Sequence, residues 1–256
     1  MSSFNKKRKY EDVGNNIHIP SRWLQCPRKG QVVNNKFLPF KTPLDSKYDG
    51  QVPEENQFKI AMLFTVAKTL RKKIGLIVNL CNTERFYNMN EVIFKEQDCG
   101  ITQLKCKGRS ETPTEEQTTA FVNLCDNFIR NRPLDIIGVH CTHGFNRTGF
   151  LICAYLVEKE SWGVEAAVRK FAEARPPGIY KQDYLNELFE RYGDKEDTPM
   201  APALPAWCTE SDDADVEDDD KQSGSHSGQA NGGGWGKRKK EFMKKVGLVC
   251  TIQFLE

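Results

Sequence analysis

A Cys and an Arg separated by five residues, in HCTHGFNRTG (residues 140 to 149), are the groups in this sequence best placed to do chemistry. A lone Cys is ordinarily a small core hydrophobe. Here Cys141 ends an apolar run, DIIGVH, and a second apolar run, GFLICAYLV, begins at Gly149. A strand that ends near His140 and a helix that begins near Arg147 would leave backbone N–H groups free at the helix N-terminus, where the dipole is positive. Gly144 lets the backbone curl towards a ligand. The N–H groups of Thr142, His143, Gly144, Phe145, Asn146 and Arg147 can then converge on one anion. Arg147 adds a planar, two-pronged donor suited to phosphate oxygens. Cys141 lies at the bottom of this cradle, where a helix N-terminus and nearby cations lower a thiol pKa to about 3.5–7.5. Its thiolate would attack phosphorus in line and carry the phosphoryl group. The N–H nest and Arg147 would hold the three equatorial oxygens, where charge gathers. Thr148 is placed to donate its hydroxyl to the thiolate, and His140 to brace the loop. The ordinary alternative is a buried Cys beside a surface Arg. The strand–loop–helix setting argues against it.

The elements around this loop follow from hydrophobic pattern. Ile74 to Leu80, Ile101 to Cys106 and Asp135 to His140 are short apolar runs suited to strands. Thr114 with Gln117 makes a capping box, and Phe121, Leu124, Cys125 and Phe128 then recur at helical spacing. Further helices are expected from about Arg147, from Trp162 to Arg175, and from Lys181 to Tyr192. Such alternation predicts an α/β domain whose central, mostly parallel sheet is flanked by helices.

The chain has 256 residues and a formal net charge of +2, so it is not a generic polyanion binder. Residues 1–16 are polar and basic, with KKRK at Lys6 to Lys9, and read as disordered. Residues 17–208 have the composition of one globular domain. Residues 209–236 are acidic and then Gly/Ser-rich, a linker. Residues 237–256 begin with a basic tail and end in an apolar stretch. The start of the chain carries no apolar signal segment. Its longest apolar runs fall short of the roughly 20 residues of a membrane span, so no membrane is expected. Nine cysteines without a CxxC pair or a metal-ligand spacing argue for reduced thiols and against structural zinc. The basic clusters at Lys6 and Lys237 fit nuclear import signals or solvated charge runs.

HCTHGFNRTG carries the HC-x5-R-T signature of the cysteine phosphatase superfamily, and its THGFN filling resembles the RNA 5′-triphosphatase domain of animal mRNA capping enzymes. PSRWLQCPRKGQ (from Pro20), FLPFKTPL (from Phe37), RFYN (from Arg85), LKCKG (from Leu104) and ARPPGIYKQDYLNELFERYGD (from Ala174) resemble segments of that family in the same order. The resemblance covers roughly Ile17 to Cys208. It implies a cysteine-phosphatase fold like that of the dual-specificity phosphatases. It also implies removal of the γ-phosphate from nascent RNA as the first step of capping, without a metal or other cofactor. The implied partners are 5′-triphosphate RNA and the phosphorylated tail of RNA polymerase II, the latter through a guanylyltransferase domain, and the implied location is the nucleus. In that family a guanylyltransferase would start beyond the basic tail, so residues 237–256 are expected to include its truncated start.

Phosphatases of this superfamily that act on esters use an Asp ahead of the Cys as general acid. The corresponding stretch here, CKGRSETPTEE, has Arg109 near the expected place and no Asp. Glu111 is the nearest carboxyl and reads first as a solvated loop charge. The missing acid suits an anhydride. A phenolate has a conjugate acid near 10, whereas a diphosphate leaves as an anion whose conjugate acid is about 6. General acid help is worth about 10²–10⁴, which an ester needs and an anhydride does not. Lys107 and Arg109 suit a polyphosphate or RNA, with ordinary surface basicity as the alternative. KYDG (Lys47 to Gly50) matches the K-x-D-G nucleophile motif of guanylyltransferases but has no companion motif, so the match is accidental and no guanylyl transfer is expected. A dual-specificity protein phosphatase and an inactive phosphate-binding docking module are the competing readings.

Overall fold

The computed structural model of the chain describes residues 18–90, 92–106 and 111–208. Among these residues four strands form one sheet: β1 (Phe37–Lys41), β2 (Lys73–Asn79), β3 (Gly100–Gln103) and β4 (Asp135–Cys141). Their order is β1-β4-β2-β3 and every pairing is parallel. Among the described residues six α-helices accompany them: α1 (Ile60–Thr69), α2 (Val92–Glu96), α3 (Glu115–Asn131), α4 (Asn146–Glu160), α5 (Val164–Ala174) and α6 (Gln182–Tyr192). The expected α/β architecture with a parallel sheet is therefore present.

Both faces of the sheet are covered, as parallel sheets require. On one face Leu76, Val78, Ile137 and Val139 pack with Phe121 of α3, Phe150 of α4, Phe171 of α5 and Leu188 of α6. On the other, Ile74, Ile77 and Ile136 pack with Leu63 and Phe64 of α1 and Phe94 of α2. Strand side chains alternate between faces, yet Ile74 and Ile77 share one. The register slips between Ile74 and Leu76, so β2 gains one residue at Gly75 and its pattern shifts by one.

The central strands β2 and β4 lie where the apolar runs placed them. β3 ends at Gln103 rather than Cys106: Leu104 and Cys106 turn their N–H groups to the carbonyls of Asn79 and Leu80 at the end of β2. The capping box forms in both directions. The Thr114 N–H donates to Gln117 at 3.0 Å, and the Gln117 N–H donates to the Thr114 hydroxyl at 3.2 Å. β1, α1 and α2 were not assigned from sequence. β1 contains Pro39, which lacks a ladder N–H and is confined to edge strands, and β1 is indeed an edge.

Candidate active site

β4 runs out at Cys141 and α4 starts at Asn146, so the four residues between them make the turn. The turn lies against β1. Gly144 has φ +73°, and a Cβ on it would sit 2.1 Å from the Phe40 carbonyl oxygen. Only glycine fits there, for backbone conformation and for space alike. The Thr42 N–H, just past β1, donates to the Thr142 carbonyl at 3.0 Å.

Cys141 is 5 % exposed. The Gly144 N–H points at its sulfur, with 3.3 Å between N and Sγ. Burial opposes ionisation, but Arg147, the Thr148 hydroxyl and the N–H groups of Gly144 and Thr148 together outweigh it. The Cys141 thiol is therefore held below its ordinary range. The Thr148 hydroxyl is fully buried beside the sulfur and is one of the groups that favour its ionised form. Burial pushes Cys26 and Cys106 the opposite way, to about 12 and about 11. Cys99, Cys125 and Cys153 are pushed up as well.

Arg147 is 3 % exposed and anchored from below. It donates to the carbonyls of Leu80 and Cys106, each at 3.3 Å, and to the Thr142 hydroxyl at 3.4 Å. The segments that follow β2 and β3 thus aim the guanidinium across the loop. His140 is fully buried between two partners. Its Nδ1 lies 3.2 Å from the Cys141 carbonyl and its Nε2 lies 2.7 Å from the Tyr87 hydroxyl. Burial lowers its pKa to about 3, so the ring is neutral. Nδ1 then donates to the carbonyl and Nε2 accepts from Tyr87, so the ring ties the start of the loop to Tyr87.

Two supports were not legible in sequence. Arg175, at the end of α5, is fully buried behind the loop. It donates to the Gly144 carbonyl at 3.2 Å, to the His143 carbonyl at 2.8 Å and to the Pro27 carbonyl at 2.7 Å. Its guanidinium lies 4.3 Å from the Phe145 ring centre. Asn146 reaches the other way: its side-chain oxygen accepts from the N–H groups of Tyr180 and Lys181, at 3.0 and 3.2 Å. The partners of both residues are distant in sequence, so no local spacing could reveal them.

These contacts open a small pocket over the sulfur. It is lined by every loop residue from Cys141 to Arg147 except Gly144, and by Tyr180, Lys181 and Tyr184. The structure thus brings Cys141, Thr142, His143, Phe145, Asn146 and Arg147 together around one cavity, with His140 and Thr148 behind it. No carboxylate lines it among the described residues. The side chain of Glu111 is exposed, and its backbone carbonyl accepts from the Tyr184 hydroxyl at 2.8 Å. Lys107 and Arg109 lie outside the described residues. In KYDG, Lys47 pairs with Asp45 at 3.1 Å and none of its residues lines the pocket. A nucleophilic sulfur, a nest of N–H donors and a fixed guanidinium in one concave site can accept a phosphoryl group and hold its oxygens.

The family model for the dual specificity phosphatase catalytic domain matches residues 54–193. An mRNA-capping enzyme of Danio rerio is 58 % identical over 193 residues, which cover 75 % of this chain and 32 % of that protein. An mRNA-capping enzyme of Mus musculus is 53 % identical, over 88 % of this chain and 37 % of that protein. An RNA/RNP complex-1-interacting phosphatase homolog of Caenorhabditis elegans is 34 % identical, over 67 % of this chain and 75 % of that protein. The chain spans about a third of the length of the mRNA-capping enzymes it matches.

Proposed function

Because the chain belongs to the dual specificity phosphatase family, we propose that it is a cysteine phosphatase whose substrate is the 5′-triphosphate end of RNA, acting as the first step of mRNA capping. In this reading Cys141 is the nucleophile. Its sulfur forms a bond to the γ-phosphorus while the bond to the β–γ bridging oxygen breaks. The electron pair stays on that oxygen, and RNA with a diphosphate end departs. Water then attacks the cysteinyl-phosphate, releasing phosphate and restoring the thiolate. The N–H groups from Thr142 to Arg147 and the guanidinium of Arg147 hold the transferred oxygens throughout. The charge is met by groups of the chain itself, so the steps call for no metal ion.

The observation that carries the substrate class is the absence of a carboxylate among the described residues lining the pocket. An ester's alkoxide or phenolate needs a proton, whereas a diphosphate leaves as a stable anion. The identity to mRNA-capping enzymes supports the same substrate. Residues 17–208 would form the triphosphatase unit. Action on nascent RNA implies a nuclear setting and fits docking on the phosphorylated tail of RNA polymerase II through residues beyond that unit. Release of phosphate from γ-labelled triphosphate RNA with EDTA present, beside release from a phosphotyrosine peptide, tests the reading. The expected result is turnover of the RNA far above that of the peptide, leaving diphosphate ends. Preference for the peptide would instead identify a protein phosphatase.

A further inference from the structure

The loop accounts for the phosphate that is transferred but not for the one left behind. Arg147 is fixed beneath the loop by the carbonyls of Leu80 and Cys106, so it faces the γ-phosphate at the floor beside Cys141. Among the described residues, the pocket lining holds one Lys, Lys181. It is half-buried, whereas Cys141 and Arg147 are almost fully buried, so it stands on the rim. Its backbone is held in place at the pocket wall. The Lys181 N–H is held by Asn146, the residue next to Arg147, at 3.2 Å. The same side-chain oxygen holds the N–H of Tyr180, another wall of the pocket, at 3.0 Å. Rim and floor are therefore tied through one amide. A phosphate chain that enters with its γ-group on Cys141 must lay its β-group at rim level.

We propose that the Lys181 ammonium binds the β-phosphate of the RNA end and stabilises the negative charge that gathers on its bridging oxygen as the γ-phosphoryl group moves to Cys141. The inference rests on the triphosphate-RNA reading and gives that reading its leaving-group catalyst. As the bridging P–O bond breaks, its electron pair settles on the β-phosphate, and a positive charge at the rim offsets it without transferring a proton. Lys is suited to this task because it acts as a compact point charge. A phosphate ester has no β-phosphate to place there, so Lys181 also sets preference between substrate classes.

The test uses the full chain with Lys181→Gln and Lys181→Arg, each assayed on triphosphate RNA and on p-nitrophenyl phosphate, whose good leaving group carries no β-phosphate. Thermal midpoints near the parent's establish that the variants fold. Lys181→Gln is expected to lose roughly 10²-fold in kcat/KM on the RNA, far more than it loses on the aryl ester. Lys181→Arg, which keeps the charge, is expected to recover most of that loss. Equal losses on both substrates would mean a damaged pocket and overturn the inference, as would an RNA rate unchanged in Lys181→Gln. A parent chain that cleaves the aryl ester but releases no phosphate from triphosphate RNA would overturn the substrate reading itself, and the inference with it.

Discussion

Cys141 differs from the other buried cysteines in what its sulfur faces. Burial acts on all of them, and in Cys26, Cys99, Cys106, Cys125 and Cys153 it prevails. Only Cys141 among these six also has a guanidinium, a hydroxyl and two backbone N–H groups aimed at it. Cys141→Ser is therefore expected to abolish phosphate release while the fold survives, since a Ser hydroxyl stays protonated at neutral pH. Arg147→Lys should fail comparably, because Lys cannot present two coplanar donors. Phosphate release by either variant within about tenfold of the parent would remove that residue from the transition state. His140 gives a prediction about stability instead. Its folded pKa is about 3 and its unfolded value about 6.5. Between these values the unfolded chain holds one more proton, so this contribution to stability is lost as pH falls through that window. The slope is about 1.4 kcal/mol per pH unit near pH 5. Proton uptake on unfolding at pH 5, compared between the parent and His140→Asn, should differ by about one proton. An equal uptake would show that His140 is not buried in its neutral form.

A second strand, β1, closes on the strand–loop–helix unit, and apolar pattern alone does not mark it. β2 and β4 are continuous apolar runs, α4 carries another in GFLICAYLV, and α3, α5 and α6 repeat their buried apolar residues at helical spacing, so pattern alone finds them. β1 reads FLPFK, where a Pro and a terminal Lys obscure an edge strand that packs under Gly144. Lys41 ends it buried, with its ammonium 2.9 Å from the Trp23 carbonyl and 3.5 Å from the centre of the Trp23 ring. The chemistry of the site was legible because Cys141, Gly144 and Arg147 are local and their roles depend on spacing. Arg175 and Lys181 were not, because their meaning comes from contacts made across the fold. The dependence of the loop on β1 has a direct consequence for Gly144→Ala. The new methyl would meet the Phe40 carbonyl at 2.1 Å, and a non-glycine residue at that φ stores strain of about 1–3 kcal/mol. The variant is expected to melt lower and to lose most of its phosphate release. Parent-like values for both would show that β1 yields and that the loop does not need this packing.

At the scale of the whole molecule, segments from the two ends of the described chain meet behind the loop. Cys26 and Cys208 form one small core with Phe145 and Tyr180, and Trp207 packs against it. The Trp207 ring centre lies 5.6 Å from that of His143 and 5.3 Å from that of Phe145. Arg22 donates to the Cys208 sulfur at 3.8 Å, which joins the two ends directly. Phe145 is thus held between Arg175 on one side and Trp207 on another. The described residues that follow α6 are therefore part of the scaffold of the site. A chain ending at Glu210 keeps this cluster. A chain ending at Pro205 loses Trp207 and Cys208 and exposes Phe145 and Tyr180. Burying such an aromatic is worth about 1.5–3 kcal/mol, so the shorter chain is expected to melt several degrees lower. Because Phe145 belongs to the phosphate loop itself, its kcat on triphosphate RNA should fall as well, whereas the chain ending at Glu210 should match the parent in both measurements. Identical melting and kcat for the two truncations would show that the C-terminal segment merely lies on the surface and that the other contacts of the loop suffice to fix it.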